Sequence, residues 1–222
     1  GRDWINERFG VGWGENPLCL GVSPSNPAIC YGTDFGRTIR TQDGGKTWEG
    51  VYSTLYKDAA SWSSRGLEVT TNYDIVSDPF DSLHLYLLYT DIGLFESHNG
   101  GISWRSATRD TAIPEAWTNT CYSLVLDPKV KGRAWAAMSG IHDLPRPKMF
   151  RRNGVKNFNG GIVRTEDGGR SWRVVSAGVG QGAVTGLLLD TAREGTGNTL
   201  YACVFGKGVF KSVDGGETWL PK

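Results

Sequence analysis

The sequence has no long apolar run and almost no net charge. No segment approaches the roughly 20 apolar residues that a membrane-spanning helix needs, so no membrane partner is expected. The 222 residues include 24 Lys and Arg against 23 Asp and Glu, which leaves a formal net charge of +1. A chain with this balance has no overall field that would attract nucleic acid. The composition therefore predicts neither a membrane protein nor a nucleic-acid-binding protein.

Candidate metal ligands are also scarce. The chain has three histidines, and its four cysteines show no C-x-x-C spacing. No glycine-rich phosphate loop follows a strand, so we expect no metal site and no cofactor. Two interpretations of the cysteines stay open. Cys19 and Cys30 fall on neighbouring predicted strands and can pair, or all four are small buried apolar side chains.

The start of the chain shows no signal peptide. It begins at Gly1 and not at Met, and continues directly into Arg2, Asp3 and Trp4. We interpret this start as processed or truncated.

What the sequence does have is an unusual amount of glycine and tryptophan, with 31 Gly and 9 Trp. This mixture is typical of many short strands joined by tight turns. An eight-residue pattern, [ST]-x-[DN]-G-G-x-[ST]-W, then occurs four times without gaps, at residues 41–48, 97–104, 165–172 and 212–219. We call each copy a box. Such a repeat predicts one supersecondary unit per copy.

The chemistry of the box is that of a turn between two strands. The Asp or Asn accepts backbone N–H bonds, and the two glycines supply positive φ angles at little cost. The second box has Asn99 in place of Asp, which keeps the turn bond and removes the charge. The Trp begins the next strand and can pack beneath the turn, so Trp48, Trp104 and Trp172 are expected to be structural.

These boxes resemble the Asp-box, or BNR, repeats of β-propellers. That family includes sialidases, sortilin-type receptors, a photosystem assembly factor and the xyloglucanases of glycoside hydrolase family 74 (GH74). In these proteins the box joins the third and fourth strands of a blade. The resemblance implies an all-β fold, a single β-propeller segment over residues 1–222 with four Asp-box blades of four antiparallel strands. The blades are expected at about 13–52, 73–107, 121–175 and 184–222, with no helix longer than a single turn.

Two β-rich runs precede each box and agree with this architecture. Residues with turn propensity separate the runs of each pair. The pairs are 18–23 with 28–33, 73–77 with 83–89, 121–126 with 133–138, and 184–189 with 199–204. Because propellers of this family usually have six or more blades, we expect a part of a larger ring or a ring completed by association.

The longest connections belong to one face of the predicted blades. With strands named A to D from the centre outward, residues 53–72 and 108–120 are D–A loops, and 139–160 is a B–C insertion. Long loops on one side of a rigid scaffold are where binding usually occurs. Trp62, Arg65 and Trp117 are the candidate substrate-binding residues on this face, although packing inside a blade is an alternative for each Trp.

Asp34 and Asp91 are the candidate catalytic residues. Each ends a predicted second strand in the pattern T-D-x-G, which resembles the stretch before the first box of GH74 enzymes, where the Asp is catalytic. Two departures count against this assignment. The family takes one catalytic Asp from each of two facing propellers, and Arg37 stands here where a second Gly is usual. The alternative is that T-D-x-G forms a turn in which the Asp accepts backbone bonds.

Three functions remain open from the sequence. The first is a glycoside hydrolase of the xyloglucanase type, or a portion of one, that binds a polysaccharide. The second is a non-catalytic propeller that binds protein or glycan, as the sortilin-type and assembly-factor relatives do. The third is a sialidase, which is disfavoured because the sequence lacks a FRIP-like start. The resemblance implies an extracellular or periplasmic location.

Overall fold

The computed structural model describes residues 4–9, 18–34, 36–65, 70–109, 111–144, 146, 158–192 and 198–222. The regular secondary structure in this part of the chain is almost entirely β. It contains one six-residue helix, α1 (Trp4–Phe9), and one 3-10 turn at Glu115–Trp117. Helix α1 is somewhat longer than the single turn that the sequence predicts.

Four sheets of four strands correspond to the four predicted blades. In each sheet the strands pair in chain order as antiparallel hairpins. The all-β propeller blades predicted from the boxes are therefore confirmed. Blade I is β1 (Cys19–Val22), β2 (Cys30–Thr33), β3 (Thr38–Thr41) and β4 (Glu49–Gly50); blade II is β7 (Asn72–Asp78), β8 (Asp81–Tyr89), β9 (Leu94–Ser97) and β10 (Arg105–Ser106); blade III is β11 (Thr120–Leu126), β12 (Ala134–Ser139), β13 (Gly160–Thr165) and β14 (Arg173–Val174); blade IV is β15 (Val184–Asp190), β16 (Thr199–Val204), β17 (Gly208–Ser212) and β18 (Leu220–Pro221).

The chain divides into two compact units. The first comprises residues 1–69 with 101–105, and the second comprises residues 70–100 with 106–222. The first unit contains blade I and a short hairpin of β5 (Ser53–Leu55) and β6 (Trp62–Ser64). This hairpin lies where the sequence predicts a loop. The second unit contains blades II, III and IV, apart from the start of β10.

The box turns repeat one hydrogen-bond pattern. In the third box, Asp167 Oδ1 accepts bonds from Thr165 Oγ1 at 2.8 Å and from the Ser171 amide at 2.9 Å. Its Oδ2 accepts from Ser171 Oγ at 2.6 Å. The two glycines have φ angles of 74° and 91°, which side chains rarely adopt. The same bonds recur around Asp43 and Asp214, which explains the residue types at these positions.

The core of the second unit forms layers between successive blades. One buried cluster joins residues of blades II and III and includes Trp172, which is 3% exposed. A second joins blades III and IV and includes Trp219, which is 1% exposed. The indole nitrogen of Trp219 donates to the carbonyls of Val175 and Gly216 at 2.8 and 2.9 Å. These box tryptophans therefore hold blades together.

All four cysteines are free thiols, so Cys19 and Cys30 are not paired. Strand register explains this, because Cys19 lies opposite Thr33 while Cys30 lies opposite Val22. The alternative of four buried side chains is correct only for Cys121. Cys19 and Cys203 are exposed, and Cys30 is half-buried.

Candidate functional site

Asp34 is held tightly within its own turn. Its Oδ1 accepts the amides of Gly36 and Arg37 at 2.9 and 2.7 Å, and its Oδ2 accepts the Arg37 guanidinium Nε at 2.7 Å. Burial raises the pKa of this carboxyl, but the hydrogen bonds from Arg37 and Gly36 lower it by more. The net pKa is therefore below the usual value for Asp. The carboxylate thus has the geometry of a turn-forming residue, in line with the alternative that the sequence leaves open.

Asp91 occupies the same T-D-x-G pattern in a different geometry. Its φ angle is 65°, a left-handed conformation that costs a side-chain-bearing residue roughly 1–2 kcal/mol. Its Oδ2 accepts a bond from Thr90 Oγ1 at 3.1 Å, and its side chain is 48% exposed. Gly93 is required two residues later, since a Cβ there would lie 2.4 Å from the Thr118 carbonyl oxygen. The turn therefore presents the Asp91 carboxylate to solvent.

The segment after β12 places His142 between two carboxylates. Its Nε2 lies 3.7 Å from Asp91 Oδ1, and its Nδ1 lies 3.6 Å from Asp143 Oδ2. Asp143 also has a positive φ of 53° and lies 3.2 Å from Arg146 Nη1. Two strained aspartates and a half-exposed histidine thus meet at one place in the second unit.

Two tyrosines lie next to these three residues. The rings of Tyr73 and Tyr122 are stacked, with centroids 5.1 Å apart and an interplanar angle of 28°. The Tyr73 hydroxyl accepts the Asp143 amide at 3.1 Å, and the Tyr122 hydroxyl accepts the Leu144 amide at 2.8 Å. Burial raises the pKa of both hydroxyls, so both stay protonated at neutral pH. Tyr73 remains 36% exposed. We define the Asp91 surface as Tyr73, Asp91, Tyr122, His142, Asp143 and Arg146.

Two β-bulges explain how the two tyrosines reach this surface. The register of β7 with β8 shifts between Asn72 and Asp74, and that of β11 with β12 shifts between Cys121 and Ser123. Tyr73 and Tyr122 are the extra residues of these bulges, which commonly redirect side chains beside functional sites. The sequence prediction does not include them; an alignment of the inner strands on Asp78 and Asp127 would have placed both tyrosines at one repeat position, five residues before the Asp.

The predicted substrate-binding residues Trp62, Arg65 and Trp117 make contacts outside the Asp91 surface. Trp62 is 8% exposed and its Nε1 donates to Glu7 Oε2 at 3.3 Å. Arg65 is exposed and donates from Nε to Thr54 Oγ1 at 2.6 Å. The Trp117 ring covers Gly161, where a Cβ would lie 2.5 Å from it. Asp34, Trp62 and Arg65 belong to the first unit, whereas Asp91 and Trp117 belong to the second.

In the part of the chain that the structure describes, no helix is long and apolar enough to cross a membrane.

Comparison with known proteins relates the chain to other propellers by structure alone. No protein-family model and no curated protein matches it. The GH74 enzyme of Niastella koreensis matches with a TM-score of 0.50 and 15% identity, over 98% of this chain and 39% of that enzyme. An ancestral GH74 enzyme gives a TM-score of 0.49 and 17% identity, over 93% of this chain and 27% of that one. YCF48 bound to a D1 peptide gives a TM-score of 0.37 and 14% identity, over 87% of this chain and 50% of YCF48.

The similarity to the Niastella koreensis enzyme supports the propeller fold. The chain spans 39% of the length of that enzyme and 27% of the ancestral one.

Proposed function

We propose that this chain is a portion of a carbohydrate-active propeller and that it binds a polysaccharide on the Asp91 surface. The observation that carries the proposal is the partly exposed Tyr73, stacked on Tyr122, beside the carboxylates of Asp91 and Asp143. An aromatic face packs on the apolar side of a sugar ring, while carboxylates and imidazole accept and donate hydrogen bonds to its hydroxyls. The fold that the chain shares with a GH74 enzyme is consistent with this substrate class.

Within this proposal, Asp91 is the stronger candidate for catalysis. Its carboxylate is exposed and has His142 as a neighbour, whereas that of Asp34 is tied to Arg37. A general acid or base must exchange its proton with the substrate, and a carboxylate fixed by an arginine does so poorly. An inverting glycosidase needs a second carboxylate about 6.5–9.5 Å away, which in GH74 enzymes the facing propeller provides. Under this proposal, the partner of the chain is the remainder of a larger propeller.

The second candidate function is a non-catalytic module that binds protein or glycan. The hydrogen bonds of Asp34 favour this second function. They give one of the two T-D-x-G aspartates a structural role in its own turn, which leaves no need for a catalytic role there. The Asp91 surface would serve this function equally well. A polysaccharide or glycan ligand would be met outside the cell, so an extracellular or periplasmic location belongs to the glycan-binding form of either proposal.

Turnover by matched aspartate variants separates the two functions. Wild type, Asp91→Asn and Asp34→Asn are assayed for hydrolysis of xyloglucan and other β-glucans and for binding to them. A glycosidase predicts that Asp91→Asn loses turnover and keeps binding, because Asn retains the shape but cannot transfer a proton. Asp34→Asn should lower thermal stability more than Asp91→Asn does.

Binding without hydrolysis by wild type would favour the non-catalytic function. Turnover that survives in Asp91→Asn but is lost in Asp34→Asn would contradict our choice of catalytic residue.

A further inference from the structure

Blade II departs from the other blades at the residue just before its box. In blades I, III and IV this residue is a cation that lies opposite an aromatic residue of the preceding strand. The pairs are Tyr31 with Arg40, Trp135 with Arg164, and Tyr201 with Lys211. In blade II the aromatic residue is Tyr86 and the residue opposite it is Glu96. The charge at this position is therefore reversed in one blade.

Blade III shows how the neighbouring positions are ordinarily used. Arg133 Nε donates to Glu166 Oε2 at 2.8 Å, and Arg164 Nε lies 2.8 Å from Glu166 Oε1. Arg133 also lies 3.5 Å from Asp127. This is a partly solvated ion-pair cluster. At the corresponding positions, blade II has Asp78 for Asp127, His84 for Arg133, Glu96 for Arg164 and His98 for Glu166.

His84 is buried and oriented by a carboxylate. It is 4% exposed, and its Nδ1 lies 2.9 Å from Asp78 Oδ2. The other oxygen of Asp78 accepts the Phe80 amide at 2.8 Å, which fixes the carboxylate. With the proton on Nδ1, the lone pair of Nε2 is free to bind. Among the described residues Nε2 has no hydrogen-bond partner, and it lies 3.6 Å from Glu96 Oε2. A carboxylate behind a histidine is the usual outer support of a metal-binding imidazole.

The two remaining ligands lie close to the imidazole of His84. Glu96 is 1% exposed, and its Oε1 lies 3.6 Å from His98 Nε2. The rings of His84 and His98 are stacked, with centroids 4.4 Å apart. One ligand atom from each of the three residues lies within 4.8 Å of the others. Ligand bonds of about 2.0–2.2 Å to a tetrahedral ion need a slightly closer set, and the exposed His98 can supply that adjustment.

We propose that His84, Glu96 and His98 bind a divalent transition-metal ion of the Zn²⁺ type, with Asp78 as the positioning residue behind His84. Two imidazoles and one carboxylate suit Zn²⁺, and the solvent-facing side of His98 leaves a position for water. The cation also offsets the burial of the Glu96 carboxylate. The third box closes over the site, since a Cβ at Gly169 would lie 2.6 Å from Glu96 Oε2. The ion would thus join blade II to the box of blade III.

The competing arrangement is a protonated His84 held between Asp78 and Glu96 with no metal. Burial lowers the pKa of His84, whereas the interactions with Glu96 and Asp78 raise it, and the net pKa lies above its usual value. The two arrangements differ in whether metal binds, so metal titration distinguishes them. The metal site is independent of the glycan-binding proposal.

The test uses the full chain with its accessible thiols alkylated by iodoacetamide, because exposed cysteines bind zinc on their own. The protein is stripped with EDTA, dialysed, and titrated with Zn²⁺ by calorimetry and with Co²⁺ by visible absorption. We expect one ion per chain and the d–d bands of a low-coordinate Co²⁺ site. His84→Gln, Glu96→Gln and His98→Gln should each weaken binding at least tenfold. Asp78→Asn should weaken it by about 10–100-fold.

His142→Gln is the matched control, since His142 is the chain's third histidine and lies outside the cluster. It should bind Zn²⁺ as wild type does. Saturating Zn²⁺ should also raise the Tm of wild type and of His142→Gln, but not that of His98→Gln. Because His98 is exposed, its variant tests the proposal even if the buried variants fail to fold. Absence of binding by wild type, or unchanged binding in His98→Gln, would overturn the proposal.

Discussion

Truncation of Trp172 is the sharpest test of the blade packing. Trp172 is 3% exposed within the cluster that joins blades II and III. Trp172→Ala removes a whole indole from a packed layer, which typically costs about 3–5 kcal/mol. For a protein of 150–250 residues, 1 kcal/mol shifts Tm by about 2–4 °C, so we expect a fall of about 6–20 °C. Urea and thermal denaturation followed by circular dichroism measure both quantities.

Phenylalanine variants show whether the indole nitrogen contributes. Trp172 Nε1 is buried without a hydrogen-bond partner among the described residues, whereas Trp219 Nε1 donates to two carbonyls. Trp172→Phe should therefore cost much less than Trp172→Ala, and Trp219→Phe should cost more than Trp172→Phe because it leaves buried carbonyls without their donor. A loss below about 1 kcal/mol in Trp172→Ala, or equal costs for the two Phe variants, would refute this account of the core.

Three further predictions concern acid stability, association and thiol reactivity. Hydrogen bonds from the box lower the pKa values of Asp43 and Asp214 to about 2, although burial of Asp214 acts in the opposite direction. The contribution of these carboxylates to stability is therefore complete above about pH 4 and is lost as the pH falls towards 2. Asp214→Asn should flatten the acid-denaturation curve in that range, and an unchanged curve would contradict this prediction. Leu220 is 71% exposed on the last strand, so light scattering should show association that Leu220→Ser reduces, and a clean wild-type monomer would contradict this. Cys203 should react with a thiol reagent in the native protein, whereas Cys121, which is buried and has a pKa raised by that burial, should react only after unfolding.

The blades could be predicted because each box fixes a turn and the strands on either side of it. Predicted and observed bounds coincide for Thr199–Val204 and differ by one or two residues for most other inner strands. The hairpin of β5 and β6 cannot be predicted in this way, because residues 53–72 match no repeat. The burial of Trp62 follows from that hairpin, so its role could not be inferred from its place in a presumed loop.

The Asp91 surface depends on features that local sequence patterns do not show. Two one-residue bulges redirect Tyr73 and Tyr122, and a bulge leaves little trace in a short strand. Asp34 and Asp91 share one motif, yet Arg37 ties the carboxylate of the first, whereas a positive φ presents that of the second. The histidine cluster of blade II likewise appears only when the register of β8 with β9 is known.

The most direct test of the central claim is the affinity of the chain for a xyloglucan oligosaccharide, measured by calorimetry for wild type, Tyr73→Ala and Tyr31→Ala. Tyr31 is the matched control, since it is an exposed tyrosine of blade I outside the Asp91 surface. Loss of a stacked aromatic face should weaken binding at least tenfold in Tyr73→Ala and leave Tyr31→Ala unchanged, with both variants folded by circular dichroism. Equal affinity of all three proteins, or absence of binding by wild type to any β-glucan tested, would contradict the assignment of the Asp91 surface.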